Sequence, residues 1–314
     1  MTFVTRFVTF FVSKSVRESA LLGVLKTKEK KMKVFTSGNV SKFVFDQDDS
    51  VYETVLYKYH NRTVVCCSVM SGCPVGCTFC GTGNRFVKNL SAKEIVGQIY
   101  ATVGDKEPQG RFQIMFMSMG EPMLNWDNVS NAIQMLSICY PDAELLISTI
   151  APITSSWDDL LMCSYIYKKI GLQFSIHQST DERRNMLIPY TRKLPLSDIS
   201  SMGKKWNKAT GRKPYCNYCI DGTNNTMEDA ARLMALFPPQ VFCFTFSVIC
   251  SADESMKEAG FKNLDIIREF ERLFIDKGYN TRIFDPEGQD DIGGGCGQLW
   301  YTQQWMKEHK NERP

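Results

Sequence analysis

The sequence contains few histidines, no long hydrophobic run and little net charge. Only three of its 314 residues are His, and no apolar run approaches the length of a membrane-spanning helix, so we expect no membrane partner. The net charge of +3 does not by itself indicate nucleic-acid binding, although it does not oppose it. The twelve cysteines come without a secretion signal, which favours a reducing compartment, so we expect a cytoplasmic protein.

Residues 1–33 differ in composition from the rest of the chain. They carry eight Lys or Arg against two Glu, and their short apolar patch is interrupted by Arg6. Three interpretations remain open. Residues 1–31 could target an organelle, the segment could be a basic arm for nucleic acid, or it could be an extension before a functional chain that starts near Met32.

The remaining chain predicts one large α/β domain. Residues 34–60 alternate in the manner of strands and predict a small antiparallel β-extension. The predicted strands that follow cover 63–69, 112–119, 145–150, 172–177, 214–220 and 241–250, and the predicted helices cover 91–103, 127–139, 155–169, 195–210, 226–237 and 262–277. Six strand–helix units are too few to close an eight-stranded barrel. We therefore expect an open (βα)6 partial barrel over 61–299, a C-terminal helical tail over 300–314, and ligands at the C-terminal strand ends.

The loop after the first barrel strand contains the motif C-x3-C-x2-C at Cys73, Cys77 and Cys80. Three thiolates at this spacing can hold three irons of a [4Fe–4S] cluster and leave the fourth iron without a protein ligand. In radical S-adenosylmethionine (SAM) enzymes that open iron binds SAM, which is cleaved to a 5′-deoxyadenosyl radical. The alternative is a structural zinc loop, which needs a fourth Cys or His that residues 81–83 do not offer.

Polar residues end the next three predicted strands and are candidate SAM contacts. Glu121 can accept a hydrogen bond from the ammonium group of SAM, and Gly120 allows a close backbone approach. Ser148 ends the following strand, and Ser175 and His177 end the one after it. Each residue is ordinary alone, but together they would face the same loop.

The other cysteines divide into packing thiols and one reactive candidate. Cys216 and Cys219 form a C-x-x-C motif, but they lie in a predicted strand, where positions i and i+3 point to opposite faces. We therefore expect them to be buried in the core, as we do Cys139, Cys163, Cys243 and Cys250. Cys296 is different, because glycines on both sides predict a mobile loop with an accessible thiol.

Together these motifs resemble the RlmN/Cfr family of radical-SAM RNA adenine methyltransferases. The similarity runs from about Glu53 to Leu299 and includes M-G-E-P-M-L-N at 119–125, F-S-I-H at 174–177 and C-G-Q-L at 296–299. The generic cluster motif is shared by a large superfamily. A cysteine seven residues before the first cluster ligand, here Cys66, combined with the C-terminal C-G-Q-L is particular to this family.

The resemblance implies a mechanism with two further thiols and two SAM molecules per turnover. Cys296 would be methylated by one SAM, and the radical from the second would take a hydrogen from that S-methyl group. The resulting carbon radical would add to the adenine ring at C2 or C8, with C2 favoured. Glu53 would accept the ring proton, and Cys66 would attack the Cys296 sulfur to free the product. The implied partners are RNA (rRNA or tRNA) and an electron donor such as flavodoxin, and we expect a monomer.

The sequence also departs from the family pattern. The accessory N-terminal RNA-binding domain is missing or reduced to the atypical segment before residue 61, and the glycine expected before Phe86 is absent. Residues 247–251 replace an Asn-Pro motif expected to contact SAM. Two alternatives follow: a radical-SAM enzyme with a non-RNA substrate, and a non-catalytic Fe–S or zinc protein that binds RNA. Retention of Cys66 and Cys296 weakens the first and argues against the second.

Overall fold

The computed structural model describes residues 31–308 except 48, 84, 155, 251–259, 289 and 296, and leaves out the side chains of Lys31, Trp300 and Met306. The strands are β1 (Lys31–Ser37), β2 (Val40–Gln47), β3 (Ser50–Lys58), β4 (Arg62–Cys67), β5 (Met70–Gly72), β6 (Phe86–Asn89), β7 (Arg111–Phe116), β8 (Glu144–Thr149), β9 (Ile170–Ser175), β10 (Tyr215–Cys219), β11 (Cys243–Ser247) and β12 (Thr281–Phe284). The helices are α1 (Ala92–Val103), α2 (Trp126–Cys139), α3 (Trp157–Ile166), α4 (Asp181–Leu187), α5 (Leu196–Thr210), α6 (Met227–Leu236), α7 (Leu264–Ile275) and α8 (Trp300–Glu308).

Ten of these strands form one sheet in the order β1-β2-β3-β4-β7-β8-β9-β10-β11-β12. The three pairs from β1 to β4 are antiparallel, whereas all pairs from β4 to β12 are parallel. The six predicted barrel strands and their parallel order are therefore confirmed. The predicted β-extension is continuous with the main sheet, because β3 pairs with β4.

Four elements were absent from the sequence-based expectation. A seventh parallel strand, β12, follows α7 and pairs with β11. The short strands β5 and β6 pair as a separate hairpin, and the seven-residue helix α4 follows β9. They are three to seven residues long, which is too short for a hydrophobic period to be recognised in the sequence.

The helix boundaries follow local signals. At the start of α1, the Ser91 side chain accepts from the Glu94 backbone while Glu94 accepts from the Ser91 backbone, which is the capping box that Ser91 and Glu94 at this spacing indicate in the sequence. Helix α7 stops before Gly278, whose φ of +79° is one that glycine adopts readily. Helix α3 begins at Trp157, and the predicted capping residue Ser155 lies outside the described residues.

The alternation of side chains along β4 decides which groups enter the barrel interior. Val65 and Cys67 belong to the large core that packs against the helices. Val64 and Cys66 point the other way and join a smaller interior cluster with Met115. Cys66 therefore lies inside the barrel. None of the helices within the described range is long and apolar enough to span a membrane.

Candidate active site

The loop that carries the three predicted cluster ligands is held at its base by the β5–β6 hairpin. The Cys73 N–H donates to the Arg85 carbonyl at 2.9 Å, next to the hairpin. Gly72 has a φ of +74°, and a Cβ there would overlap the Arg85 carbonyl oxygen. Only glycine fits this position, because both the backbone conformation and the available space exclude a side chain. The loop is thus anchored immediately before its first cysteine.

The three thiols lie close enough to influence one another. Burial raises the pKa of Cys73 to about 12, and it raises the pKa of Cys77, with a further contribution from the neighbouring thiols of Cys80 and Cys73. Part of that burial comes from an apolar cluster of Val75, Ile150 and Ile188, which Cys73 and Cys77 contact. As free thiolates these groups are unfavourable, and a bound metal centre would reverse the balance by stabilising the deprotonated form.

This donor set fits a [4Fe–4S] cluster. Three cysteines on one glycine-rich loop match the ligand count of a cluster with one open iron. Among the described residues, no three His, Cys, Asp or Glu side chains are placed to hold a metal ion. Convergence on one point is not required of cluster ligands, because each thiolate binds a different iron.

Glu121 lies beyond the C-terminal end of β7 and is almost completely buried. Its carboxylate accepts hydrogen bonds from the Thr149 hydroxyl at 2.5 Å, the Ile150 N–H at 2.8 Å and the Met123 N–H at 3.0 Å. Burial raises the pKa of Glu121 to about 7, although these hydrogen bonds oppose the shift. The carboxylate is therefore fixed at the end of two neighbouring strands and can still accept from a cationic group.

His177 is buried beside the cluster loop. Its Nδ1 accepts from the Cys219 N–H at 3.2 Å, so the neutral ring carries its proton on Nε2. Burial, together with the charge of Arg184, lowers the pKa of His177 to about 3. The ring meets Phe79 of the cluster loop edge-on, with centroids 5.3 Å apart. The φ of His177 is +59°, an uncommon conformation for a side chain of this type that is often found at functional sites.

The other predicted SAM contacts lie at the same end of the sheet. Ser148 is buried, and its hydroxyl accepts from Gln173 at 3.1 Å. Ser175 is half-buried at the end of β9. Gly120 has a φ of +91°, and a Cβ there would lie 2.6 Å from the Met70 side chain. Gly120 is therefore required for the packing of β7 against the hairpin, whether or not it also approaches SAM.

Sequence reasoning missed Arg184, which is 1% exposed and occupies the space between these strand ends. Its guanidinium donates to the Ile150 carbonyl at 2.7 Å and the Leu194 carbonyl at 2.8 Å. Burial lowers the pKa of Arg184 to about 10. It lies in the charged stretch D-E-R-R, which gives no sequence signal of burial. Its position supplies a fixed positive charge near Glu121 and His177.

Cys66 lines a cavity of about 130 Å³ inside the barrel. Its Sγ lies 3.9 Å from the Met115 sulfur. Polar side chains from several strands share the cavity wall, among them Gln113, Asn217 and Ser247. A thiol in this position can meet a molecule that enters the barrel, unlike its neighbour Cys67, which is fully buried under the helices.

The C-terminal loop bridges the cluster loop and the wall that contains Cys66. The Gly81 N–H donates to the Gly297 carbonyl at 2.6 Å. The Tyr57 hydroxyl donates to the Gly294 carbonyl at 2.6 Å, and Ile292 packs in the apolar cluster of Cys66. Cys296, the predicted methyl carrier, lies outside the described residues.

Glu53 lies on β3 and is fully buried. Its Oε2 is 2.6 Å from Lys42 Nζ, and neither side chain is exposed. Its Oε1 accepts from the Thr302 N–H at 2.7 Å and the Thr302 hydroxyl at 2.8 Å. Helix α8 therefore covers the carboxylate, which is not among the groups that line the Cys66 cavity.

The expectation for the remaining cysteines is confirmed where burial tests it. Cys216 and Cys219 are both buried in β10, as expected of core thiols. Cys163, Cys243 and Cys250 are also buried, whereas Cys139 is half-buried against the core.

Comparison with known proteins identifies the family. No family model matches the chain. The "Probable dual-specificity RNA methyltransferase RlmN" of Pseudothermotoga lettingae is 31% identical over 289 residues, which are 90% of this chain and 82% of that protein. The "Ribosomal RNA large subunit methyltransferase N" of Nitrosopumilus maritimus is 31% identical over 282 residues, which are 85% and 78% of the two chains.

A solved structure confirms the fold. The radical SAM methyltransferase from Sphaerobacter thermophilus superimposes with a TM-score of 0.75 over 92% of this chain and 86% of that one, at 24% identity. The predicted radical-SAM partial barrel is therefore the observed architecture. Because relatives above 30% identity align over most of both sequences, the chain belongs to the RlmN family that its motifs predicted.

Proposed function

We propose that the chain is a radical-SAM RNA methyltransferase that transfers a methyl group to a ring carbon of adenine, at C2 rather than C8. Family membership supports this, since relatives such as that of Pseudothermotoga lettingae are named RNA methyltransferases. C2 and C8 of adenine have no lone pair that could attack a methyl sulfonium directly. A radical route with a protein-bound methyl carrier overcomes that difficulty.

The observation that carries the proposal is the packing of the C-terminal loop. Gly297 contacts the cluster loop through Gly81, whereas Ile292 packs with Cys66. Gly295 and Gly297, the neighbours of Cys296 in the sequence, both belong to this loop. This arrangement supports a carrier thiol that can serve both the cofactor side and the Cys66 side of the site.

The residues at the strand ends are proposed to hold the cofactors. Cys73, Cys77 and Cys80 would bind a [4Fe–4S] cluster, and Glu121 would accept from the ammonium group of SAM. Ser148, Ser175 and His177 are further proposed SAM contacts, with Gly120 allowing the backbone to approach. When bound, the cluster and SAM supply radical chemistry that can activate an otherwise unreactive methyl group.

The chain's own residues would then carry and release the methyl group. Cys296 would bear the methyl as a thioether, using two SAM molecules per turnover, and would become covalently joined to the base through that carbon. The Cys66 thiolate would attack the Cys296 sulfur and form a disulfide, while the electron pair of the broken carbon–sulfur bond goes to the methylene carbon, which takes up a proton and becomes the methyl group. A thiol reductant would then reduce the disulfide for the next turnover. Glu53 is proposed as acceptor of the ring proton. Glu53, Val55 and Tyr57 lie at alternate positions and so on the same face of β3. Val55 and Tyr57 pack in the apolar cluster that contains Cys66.

Paired cysteine variants test this function. Each variant is expressed with cellular RNA, and the protein is examined on a denaturing gel with and without nuclease. Cys66→Ala should give a nuclease-sensitive shift, because the adduct forms but cannot be resolved. Cys296→Ala should give none, because no carrier exists. Cys67→Ala is the matched control and should behave as wild type, since its thiol faces the helices.

The outcomes separate the functions. No nuclease-sensitive shift for Cys66→Ala, in a preparation that cleaves SAM, would contradict RNA methylation and favour a non-RNA substrate. Nucleoside mass spectrometry of RNA incubated with the reconstituted enzyme distinguishes 2-methyladenosine from 8-methyladenosine. Detection of the 8-methyl product alone would overturn the proposed C2 preference.

A further inference from the structure

The cavity that contains Cys66 extends along the barrel strands. On β4 it is lined by Arg62, Val64 and Cys66, three residues on the same face of one strand. Arg62 begins that strand and Cys66 lies near its C-terminal end. The cavity therefore runs from the N-terminal edge of the parallel sheet toward the end where the cluster loop lies.

A second cavity of about 350 Å³ continues this path at the N-terminal edge. Its lining includes the first residues of β7, β8, β9 and β10, together with the segments that precede β9 and β10. Gln113 and Arg282 line both cavities. The two cavities are therefore adjacent, and the side chains of Gln113 and Arg282 lie between the interior that contains Cys66 and the N-terminal mouth of the barrel.

The mouth is strongly basic. Six basic side chains and one acidic side chain, that of Glu144, line the second cavity. The basic residues are Arg111, Lys168, Lys169, Arg212, Lys213 and Arg282. Six basic side chains and one acidic side chain give this cavity lining a net charge of +5, compared with +3 for the whole chain.

Local partners neutralise only part of this charge. Glu144 pairs with Arg111 at 2.7 Å, and Asp142, outside the cavity, pairs with Lys169 at 2.7 Å. Lys213 donates to the Pro239 carbonyl at 2.7 Å, and such a contact leaves its charge uncompensated. Lys168 is exposed and lies over the Tyr165 ring. A positive field thus remains at the mouth, where a polyanion would be attracted.

The cluster end of the barrel is more enclosed. Gly294 and Gly297 bridge Tyr57 to the cluster loop through the hydrogen bonds described above. Thr302 of α8 covers Glu53 nearby. In the described part of the chain, the cluster end of the barrel is therefore covered by protein, whereas the N-terminal end has a basic opening.

We propose that RNA reaches Cys66 through the N-terminal mouth of the barrel, and that Lys168 and Lys213 bind phosphates beside the target nucleotide. This deepens the proposed function and rests on it. The target base enters the interior cavity, where the amides of Gln113 and Asn217 can hydrogen-bond to a purine edge. At the mouth, Tyr215 lies under Arg282 at 4.5 Å from the ring centroid and offers an aromatic surface.

Charge-reversal variants of the reconstituted enzyme test the path. The probe is fluorescein-labelled oligoadenylate, with anisotropy titrations repeated over a range of salt concentrations. Lys168→Glu and Lys213→Glu should each weaken binding about tenfold and reduce the slope of log affinity against log salt by about 0.7, the value for one lost phosphate contact. Lys93→Glu is the matched control, because it makes the same charge change at the start of α1, on the cluster side.

Kinetic measurements separate this inference from the proposed function. The mouth variants should raise the KM for RNA about tenfold while leaving SAM cleavage without RNA unchanged. Equal losses in Lys93→Glu and in the mouth variants would overturn the path, because only overall charge would then matter. Unchanged binding in Lys168→Glu and Lys213→Glu would overturn it as well. A wild-type enzyme that neither binds nor methylates RNA would instead refute the proposed function.

Discussion

The ion pair between Lys42 and Glu53 gives the sharpest stability prediction. Both side chains are fully buried, with 2.6 Å between Nζ and Oε2. Glu53 also accepts two hydrogen bonds from Thr302 through its other oxygen. Lys42→Met replaces the lysine with an unbranched apolar side chain and leaves the carboxylate buried without its counter-charge.

The expected loss follows from that burial. Removing one partner of a buried pair costs about 3–5 kcal/mol, because the remaining charge is desolvated and uncompensated. This is a large part of the roughly 5–15 kcal/mol that stabilises a typical protein. The urea midpoint should therefore fall by about 1 M or more. Lys42→Met/Glu53→Gln should recover at least half of the loss, since Gln carries no charge and can still accept from Thr302.

Anaerobic urea unfolding followed by tryptophan fluorescence measures these changes, with all variants at equal iron occupancy. Lys33→Met is the control, because Lys33 pairs with Asp46 at 3.6 Å on the surface with 61% of its side chain exposed. Such a pair contributes at most about 1 kcal/mol. A loss below about 1 kcal/mol in Lys42→Met, or no recovery in the double variant, would refute the reasoning.

Two further predictions concern the cofactors. Cys73→Ala, Cys77→Ala or Cys80→Ala should each abolish binding of about four irons per chain, whereas the control Cys216→Ala should retain it. Stoichiometric zinc in the freshly purified wild-type protein, with no cluster absorption after reconstitution, would contradict the cluster assignment. The raised pKa of Glu121, about 7, means that its carboxylate takes up a proton as the pH falls below that value. Equilibrium dialysis should then show that the affinity for SAM falls by up to about tenfold per pH unit below this pKa. The fall should disappear in Glu121→Gln. A wild-type affinity that does not change with pH would argue against the proposed contact between Glu121 and the ammonium group of SAM.

The regular elements were predictable from the sequence because their signals are local. The Ser91 and Glu94 capping box lies within four residues, and Gly278 marks the end of α7 through its own backbone conformation. Strand β12 was missed because its four residues, Thr281–Phe284, are all half-buried and show no alternation. It becomes a strand by pairing with β11, an interaction that no short window contains.

Some residues of the candidate site could be predicted from local sequence, whereas others could not. The proposed ligand set of Cys73, Cys77 and Cys80 could be predicted because all three thiols lie on one short loop, where spacing alone brings them together. Arg184 could not be recognised, because an arginine in a charged stretch is usually solvated. Its burial depends on carbonyl groups of Ile150, directly after β8, and of Leu194, before α5, which the fold brings around it.

The sequence by itself predicted the proposed cofactor chemistry and determined the succession of strands and helices. Ligand spacing, caps and hydrophobic period act over a few residues, where the backbone geometry is nearly fixed. Only the tertiary structure brought Ile292 to Cys66, placed Thr302 over Glu53, and gathered the lysines before β9 and β10 at one mouth. Such contacts join segments far apart in the chain. They follow from the order and register of the strands, because a shift by one residue would turn Cys66 out of the barrel.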